Sequence, residues 1–327
     1  MVDLKHKVRA FLYLSLPGET SWNTFIEDAN GDYNFTWANW NQSEKIEVTL
    51  RKGEEDLTWP ALDNEAPDEE YYATKSEYLT LLSNCVSAIE KEGWGKVVVS
   101  RQQLIAKKIN PLNLTKELTK AYPKACVYCW IHPNTGCWIG ATPELLLEQK
   151  NQQIKTMSLA GTLRPNGPDT FKLKEEEEQD MVTEFVYNRL KAERGVSAVK
   201  RGDLKAMQAG DLQHLKTEIT AKVNDDFNAQ KLITKLHPTP AVAGFPQKET
   251  LAYLEKIEGY NRAYYTGYFG LEHKDIKRYY VNLRCINVFN NAFIAYAGGG
   301  ITAQSVAEDE WLETEAKMEA ILRIARR

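Results

Sequence analysis

The sequence has no excess of basic charge and no long apolar run. It contains 41 lysines and arginines and 45 aspartates and glutamates, which gives a formal net charge of −4. Nucleic-acid binding proteins usually present a net basic face, so this balance argues against a nucleic-acid partner. No stretch approaches the ~18 apolar residues that a membrane-spanning helix needs, and we expect no membrane partner. At 43% hydrophobic and 26% charged residues, the chain is typical of a folded globular protein.

A secretory signal and a complete set of disulfides are also missing. The five cysteines are an odd number and cannot all pair within the chain. Lys5, Lys7 and Arg9 precede a short apolar stretch, but it ends at Pro17 and no small-residue cleavage site follows. We therefore expect a cytoplasmic protein whose thiols stay reduced.

The apolar patterns predict an α+β chain with antiparallel sheets. Alternating apolar residues over 8–16 predict a first strand, and the acidic, proline-containing stretch 51–73 predicts a long surface loop. Helices are predicted over 78–89 with Gly93 as the terminating residue, 112–122, 172–193 and 309–326, and strands over 96–99, 125–131, 137–147, 211–223 and 279–296. Strands and helices mix without the regular βαβ alternation of a doubly wound sheet.

Two motifs resemble functional sites but have simpler explanations. Cys126 and Cys129 form a C-x-x-C pair on a predicted strand, where residues three apart point to opposite faces. We therefore expect buried strand cysteines and no zinc site. The run Gly298-Gly299-Gly300 lacks the lysine of a phosphate-binding loop. We interpret it as a tight bend; the alternative is a set of backbone amides held open to an anion.

The acidic run in the helix over 172–193 raises the question of a metal site. Glu178 shares a helix face with apolar residues and is predicted to point inward, whereas Glu176, which shares a face with Gln179, points to water. A buried carboxylate must be protonated, paired or bound to a cation. Metal ligation therefore stays open beside the simpler interpretation of a solvated acidic helix.

The C-terminal helix poses the same question. Glu310, Glu313 and Lys317 share one face, and the last two have the i,i+4 spacing of a surface ion pair, which is worth about 0.3–0.5 kcal/mol. Because this helix follows a predicted strand and the glycine run, its acidic face could instead border an active site.

Nine segments, in order along the chain, resemble the chorismate-utilising enzymes. That family includes isochorismate, salicylate and aminodeoxychorismate synthases and the large subunit of anthranilate synthase. The matching segments are Lys96-Val-Val-Val-Ser-Arg101, Gly140-Ala-Thr-Pro-Glu144, Leu159-Ala-Gly-Thr162, 174–182, 236–244 (LHPTPAVAG), 261–270, Leu283-Arg284-Cys285, 297–301 and Glu310-Trp-x-Glu313-Thr-x-x-Lys317. Each is weak alone, and the specificity of the signal lies in their common order.

The resemblance implies one α+β domain over residues 1–327, with a large antiparallel β-sandwich flanked by helices. Residues 94–324 would be its motif-bearing catalytic part. Residues 1–90 would be family-variable; we assign them no binding site and expect no feedback inhibitor.

Three features favour isochorismate formation within this family. Members that add water resemble this chain in carrying lysine at Lys96, whereas members that add ammonia carry glutamine there. Ala160 replaces the nucleophilic lysine of aminodeoxychorismate synthases, and the form of 236–244 resembles isochorismate and anthranilate synthases more than salicylate synthases. The resemblance therefore implies Mg²⁺-dependent addition of water at C2 of chorismate with loss of the C4 hydroxyl.

The resemblance also implies a role for each site residue. Glu178 and Glu313 would hold Mg²⁺, Lys96 would be the general base that activates water, and Glu144 would be the general acid. Such an acid must stay protonated near pH 7, so burial should raise its pKa. Substrate contacts are implied for Gly161, His237, Arg284, Gly298, Gly300 and Lys317. The alternatives are a solvated strand-edge lysine at Lys96 and a turn histidine at His237.

Salicylate synthase is the nearest alternative function, followed by the anthranilate synthase large subunit and by a catalytically inactive binding protein. Gln179 stands where ammonia-linked members carry histidine, which weakens the anthranilate alternative. We expect chorismate as the substrate, no glutaminase subunit, and a monomer or homodimer. Menaquinone biosynthesis is preferred over siderophore biosynthesis as the pathway.

Overall fold

Short connections join most successive strands, so neighbouring strands pair antiparallel. A computed structural model describes residues 9–19, 21–53, 65–66, 73–165, 167 and 169–327. The strands are β1 (Phe11–Ser15), β2 (Asn23–Glu27), β3 (Tyr33–Ala38), β4 (Lys45–Lys52), β5 (Lys96–Ile105), β6 (Cys126–His132), β7 (Gly136–Thr142), β8 (Leu145–Lys150), β9 (Gln153–Leu163), β10 (Val196–Arg201), β11 (Lys205–Ala209), β12 (Leu212–Val223), β13 (Gly244–Phe245), β14 (Tyr268–His273), β15 (Ile276–Val281), β16 (Cys285–Val288) and β17 (Phe293–Ile301). The helices are α1 (Lys75–Glu92), α2 (Pro111–Ala121), α3 (Leu173–Lys191), α4 (Ala229–Leu236), α5 (Gln247–Ile257) and α6 (Ala307–Ala325).

The strands form one continuous ribbon of antiparallel pairs. Its order is β13–β5–β17–β16–β7–β6–β1–β2–β4–β3–β14–β15–β8–β9–β12, with β10 and β11 both paired to β12. The ribbon folds back on itself, because Trp37 on β3 packs against Trp130 on β6 and Trp138 on β7, with ring centroids 6.2 and 6.3 Å apart. These aromatic side chains belong to one apolar core enclosed by sheet on both sides. The predicted α+β antiparallel architecture is confirmed.

The helices cover the outer faces of the ribbon. Helices α2 and α6 share an apolar cluster with β6 and β17, α3 and α4 share one with β9 and β12, and α1 shares one with β5. Helix α1 begins at a capping box formed by Thr74 and Glu77 and ends at Gly93, whose φ of 68° is left-handed. The helix and its terminating glycine are therefore as predicted.

Two predicted strands are interrupted, and both interruptions matter for the site. The strand predicted over 137–147 breaks at Pro143 and Glu144, because proline has no N–H group to donate to a strand ladder. Within the strands predicted over 279–296, the extended backbone also breaks before Arg284, whose φ of 49° is incompatible with extended backbone. The predicted loop over 51–73 lies largely outside the described residues.

The cysteines behave as predicted. All five are buried and unpaired. Cys126 packs in the core between the sheet faces, whereas Cys129 packs in the cluster beneath α2, so the two thiols point to opposite sides of β6. Within the described ranges, no helix combines the length and apolar character required to cross a bilayer.

Candidate active site

Lys96 begins β5, and its side chain is buried. Its amino group lies 2.5 Å from Oε1 of Glu178, in the second turn of α3. Gly300 on the paired strand β17 leaves the space for this contact, because a Cβ there would lie 2.2 Å from Lys96 Cε and 2.8 Å from Glu178 Oε1. Lys96 is therefore a buried lysine in contact with a carboxyl group and not a solvated strand-edge lysine.

The tight bend predicted at the glycine run is wrong. Gly298, Gly299 and Gly300 continue β17 in regular pairing with β5. Because glycine has no side chain, residues of neighbouring elements can pack against this strand. Gly300 leaves room for Lys96, and a Cβ at Gly299 would lie 3.4 Å from Oε2 of Glu310. The polar group that this stretch offers to Lys317 is the Gly298 carbonyl, which accepts a hydrogen bond from its amino group at 2.9 Å.

Glu144 occupies the break between β7 and β8 and is 4% exposed. Burial raises the pKa of Glu144 to about 7, against the opposing effect of Lys96 and Lys317. A carboxyl group with this pKa is substantially protonated at neutral pH and can donate a proton. The upward shift is the one expected for a general acid.

Three lysine–glutamate pairs involve residues of α3 and α6. Besides the pair of Lys96 and Glu178, Lys174 lies 2.7 Å from Glu310, and Lys317 lies 2.7 Å from Glu313. Burial opposes ionisation of Glu178, but Lys96, followed by Lys317 and Lys174, lowers its pKa below the ordinary value. Burial lowers the pKa of Lys174, but Glu310, Glu178 and Glu313 together produce a net upward shift. The carboxylates are therefore close enough to share one electrostatic environment.

Arg284 and His214 form a second polar group on the opposite wall. The positive φ of Arg284 turns the chain between β15 and β16, and its guanidinium donates to the Ala209 carbonyl at 2.7 Å. Its other terminal nitrogen lies 2.9 Å from Nε2 of His214, while Nδ1 of His214 lies 3.1 Å from the carbonyl oxygen of Gly161. Because arginine can only donate, Nε2 must accept and Nδ1 must carry the proton. Burial and Arg284 hold the pKa of His214 well below its ordinary value.

These groups surround a pocket of about 90 Å³. Of the predicted site residues, the pocket lining includes Lys96, Glu144, Gly161, Glu178, Arg284, Gly298, Gly300 and Lys317. Glu313 does not line the pocket, but it pairs with Lys317, which does. Sequence analysis missed His214, although it occupies a buried position on β12 opposite Thr162. Its signal was a histidine within the alternating pattern of that predicted strand.

His237 does not line this pocket. It ends α4 before a cis peptide bond to Pro238, and its ring packs edge-on against Tyr268 at 5.1 Å between centroids. Burial lowers the pKa of His237 to about 3, with a small opposing effect from the Trp40 backbone. This placement matches the turn histidine that the sequence left as an alternative.

The burial of Gln179 also differs from the prediction. Glu176 is exposed as expected, but Gln179 and Thr183, on the face assigned to water, are buried. The Gln179 amide donates to the hydroxyl of Ser158 at 2.9 Å. Helix α3 lies against both β9 and β12, so a wider arc of it is covered than one apolar stripe indicates.

The carboxylate oxygens in the site are the kind of ligand that suits a magnesium ion. Mg²⁺ prefers carboxylate oxygens, usually takes one or two of them, and retains several waters. Glu178 and Glu313 supply such oxygens, and lysine amino groups lie against both, so each carboxylate already faces a cation. Within the described ranges, no three histidine, cysteine, aspartate or glutamate side chains converge as a preformed metal cage. The arrangement therefore suits an ion held by two carboxylates, waters and substrate.

Known proteins resemble this chain along most of its length. The isochorismate synthase EntC of Escherichia coli K12 is 28% identical over 200 residues, covering 58% of this chain and 51% of that protein. The vibriobactin-specific isochorismate synthase of Vibrio cholerae is 28% identical over 269 residues, covering 76% and 66%. The menaquinone-specific isochorismate synthase MenF of E. coli superposes with a TM-score of 0.82 at 18% identity, covering 98% of this chain and 89% of that one, which shows the common fold.

In the first of these relatives, the matched region is about half of the known protein. A sequence profile described as "Chorismate binding enzyme" matches residues 21–326. That match includes every residue that lines the pocket. The chain therefore belongs to the chorismate binding enzyme family.

Proposed function

We propose that this protein is an isochorismate synthase. It would add water to C2 of chorismate and expel the C4 hydroxyl. Both ring double bonds would shift, from C1=C2 and C5=C6 to C1=C6 and C4=C5, as the C2–O bond forms and the C4–O bond breaks. One water enters and one leaves, so the reaction is an isomerisation. The observation that carries the proposal is a buried lysine and a buried carboxyl group, Lys96 and Glu144, lining the same pocket.

The two residues have complementary tasks. Lys96 would take a proton from the attacking water, and Glu144 would give a proton to the departing hydroxyl. The pKa of Glu144, raised to about 7 by burial, supports the acid role. The two protons are then exchanged with solvent, which restores the starting state. In this proposal Lys96 acts as a base only with a neutral amine, a form that burial or a nearby cation favours.

Glu178 and Glu313 would hold Mg²⁺ against the ring carboxylate of the substrate. The bound ion would supply Lewis-acid withdrawal of electron density from the ring. Glu178 and Glu313 are the residues whose oxygens suit this ion, and their pairing with Lys96 and Lys317 supports a site built for positive charge.

The enolpyruvyl carboxylate needs fixed donors, and Arg284 and Lys317 would provide them. The Ala209 carbonyl and His214 hold the guanidinium of Arg284 in one orientation, which leaves its remaining N–H groups to bind an anion. Lys317 is fixed by Glu313 and by the Gly298 carbonyl. Gly161 lines the pocket and would contact the substrate through its backbone.

The decisive experiment is product analysis after incubation with chorismate and MgCl₂. We expect isochorismate as the main product, resolved by chromatography, and no turnover in the presence of EDTA. Formation of salicylate with an equal amount of pyruvate would overturn this proposal and indicate a salicylate synthase. Anthranilate formed when ammonium is added would replace it with an anthranilate synthase. Binding of chorismate without any product would indicate an inactive family member.

We also propose that the enzyme acts in the cytoplasm, as a monomer or homodimer without a glutaminase subunit, as one domain. Five buried free thiols support a reducing compartment. Light scattering of the purified protein should give the mass of one or two chains, and a larger species would contradict the proposal.

For the pathway we propose menaquinone biosynthesis. Relatives are named for both menaquinone and vibriobactin, so the test is genetic. A deletion strain should lose menaquinone; loss of a catechol siderophore alone would contradict this.

A further inference from the structure

We propose that Glu258 and Arg262 form a buried positioning pair that sets the shape of the substrate pocket from behind. Neither residue lines the pocket, and neither is assigned a role in the chemistry above. The inference rests on the proposed function, because it concerns how chorismate is held.

The pair is fully internal and strongly bonded. Arg262 is 0% exposed, and Glu258 is 3% exposed. The Nε and Nη2 atoms of Arg262 each donate to a different oxygen of Glu258, both at 2.6 Å, which gives a bidentate contact. The guanidinium also lies 4.7 Å from the ring centroid of Trp40. This geometry leaves neither side chain free to rotate.

Arg262 contacts three separate segments of the pocket wall. It donates to the Val98 carbonyl on β5 at 2.6 Å, to the Val242 carbonyl at 2.9 Å and to the Thr266 hydroxyl at 3.3 Å. Val98, Val242 and Thr266 all line the pocket. One planar cation therefore fixes the relative positions of three segments that are distant in the chain.

Glu258 fixes the strand that carries Lys96. Its Oε1 accepts from the Ser100 backbone N–H at 2.7 Å and from the Ser100 hydroxyl at 2.8 Å. Ser100 lies opposite Gly298 in the pairing of β5 with β17, two residues from the position where Val98 lies opposite Gly300. The carboxylate thus holds β5 where the pocket floor is formed.

Stability alone does not account for such a pair. Desolvation offsets much of the attraction between two buried charges, and apolar residues of similar volume often stabilise a fold as well or better. What the ion pair supplies is a set of directional bonds to acceptors on three segments, which apolar packing cannot provide. Positioning of the pocket wall is therefore its physical role.

Arg262→Lys is the main test. Lysine keeps the positive charge beside Glu258, so no buried carboxylate is left unpaired, but it loses the planar fork. The matched control is Glu193→Gln, which weakens another buried carboxylate pair, with Lys235 at 2.6 Å. Glu193 lies just past the end of α3, whose last residue, Lys191, is 13 residues beyond Glu178, a rise of roughly 20 Å at ~1.5 Å per residue. Both substitutions should lower the melting temperature.

The distinguishing readout is chorismate affinity, measured by calorimetry with MgCl₂ at a temperature where each variant is fully folded. We expect Arg262→Lys to weaken chorismate binding about tenfold and to raise KM more than it lowers kcat, whereas Glu193→Gln leaves affinity within twofold of wild type. Unchanged affinity in Arg262→Lys, or an equal loss in Glu193→Gln, would overturn the proposal.

Two further arms keep the outcome interpretable. If Arg262→Lys does not fold, Ser100→Ala removes the hydroxyl donor to Glu258, together with the contact of that hydroxyl with the Tyr260 hydroxyl at 2.6 Å. It should still weaken binding two- to threefold; no change would overturn the proposal. Wild-type protein that binds chorismate but forms a different product would refute the proposed function, while the affinity comparison would still test the pair.

Discussion

Two cavities of the folded ribbon differ in character. The larger, about 190 Å³, lies among β1–β3, β14 and β15 and is lined mainly by apolar and aromatic side chains such as Phe25, Phe35 and Phe269. The smaller, about 90 Å³, is the candidate active site, where Lys96, Glu144, Glu178, His214 and Arg284 converge. One fold thus holds a mainly apolar cavity, lined by its first strands together with β14 and β15, and a charged one.

The difference shows what each region demands of its residues. Apolar contacts are non-directional, so a change among them mainly costs buried area. In the charged pocket, each ionised group depends on a specific partner, and removing one leaves the other uncompensated. Substitutions in the first region should therefore alter stability, and substitutions in the second should alter activity.

Lys96→Ala should have the largest effect on activity. Loss of the proposed base should lower kcat by about 10²–10⁴-fold, the usual contribution of general acid–base catalysis, while chorismate still binds. Steady-state kinetics and calorimetry would measure the two quantities. Turnover within tenfold of wild type would remove lysine from the base role and weaken the distinction between the two cavities.

Glu178→Gln should come next. Replacing one carboxylate oxygen by an amide weakens the proposed ligand set, and we expect the Mg²⁺ concentration for half-maximal activity to rise at least about tenfold. Glu176→Gln is the control, because Glu176 is exposed on the same helix. An equal response of both variants would place the metal elsewhere.

The pH dependence should be smaller and specific to Glu144. Its pKa is raised to about 7 by burial, and the proposed acid must be protonated. The protonated fraction therefore falls as pH rises through 7, and kcat/KM should fall by roughly tenfold per unit well above it. Glu144→Gln should be slow and should lose this descending limb. Activity that rises steadily from pH 7 to 9 would contradict the acid role.

Phe35→Ala should have the smallest effect on activity. Phe35 is buried in the aromatic core and lines the apolar cavity. Truncation of a buried phenylalanine typically costs about 3–5 kcal/mol of unfolding free energy. Denaturant titration should show this loss, with chorismate KM within twofold of wild type. A large rise in KM would show that the two cavities are coupled.

The sequence was informative wherever one element decided the outcome. The terminating Gly93 ends α1 as predicted, and helical phase placed Glu178 inward and Glu176 outward. The C-x-x-C pair was separated by strand alternation alone. These features are local, because period and capping depend on residues within a few positions of each other.

Three outcomes depended on elements that meet only in the folded chain. The glycine run is a strand and not a bend, because Lys96 crosses β17 there. Gln179 is buried, because two strands cover α3. His237 turned out to pack beside Tyr268, outside the pocket.

By itself, the sequence determined the antiparallel α+β class, the inward face of the acidic helix, the burial of the cysteines and the ordered family segments. Only the tertiary structure decided that Lys96 meets Glu178, that His214 holds Arg284, and that Arg262 ties three pocket segments together. The physical reason is that periodicity reports which side of one element is covered, whereas the identity of a buried charge's partner depends on how distant elements pack.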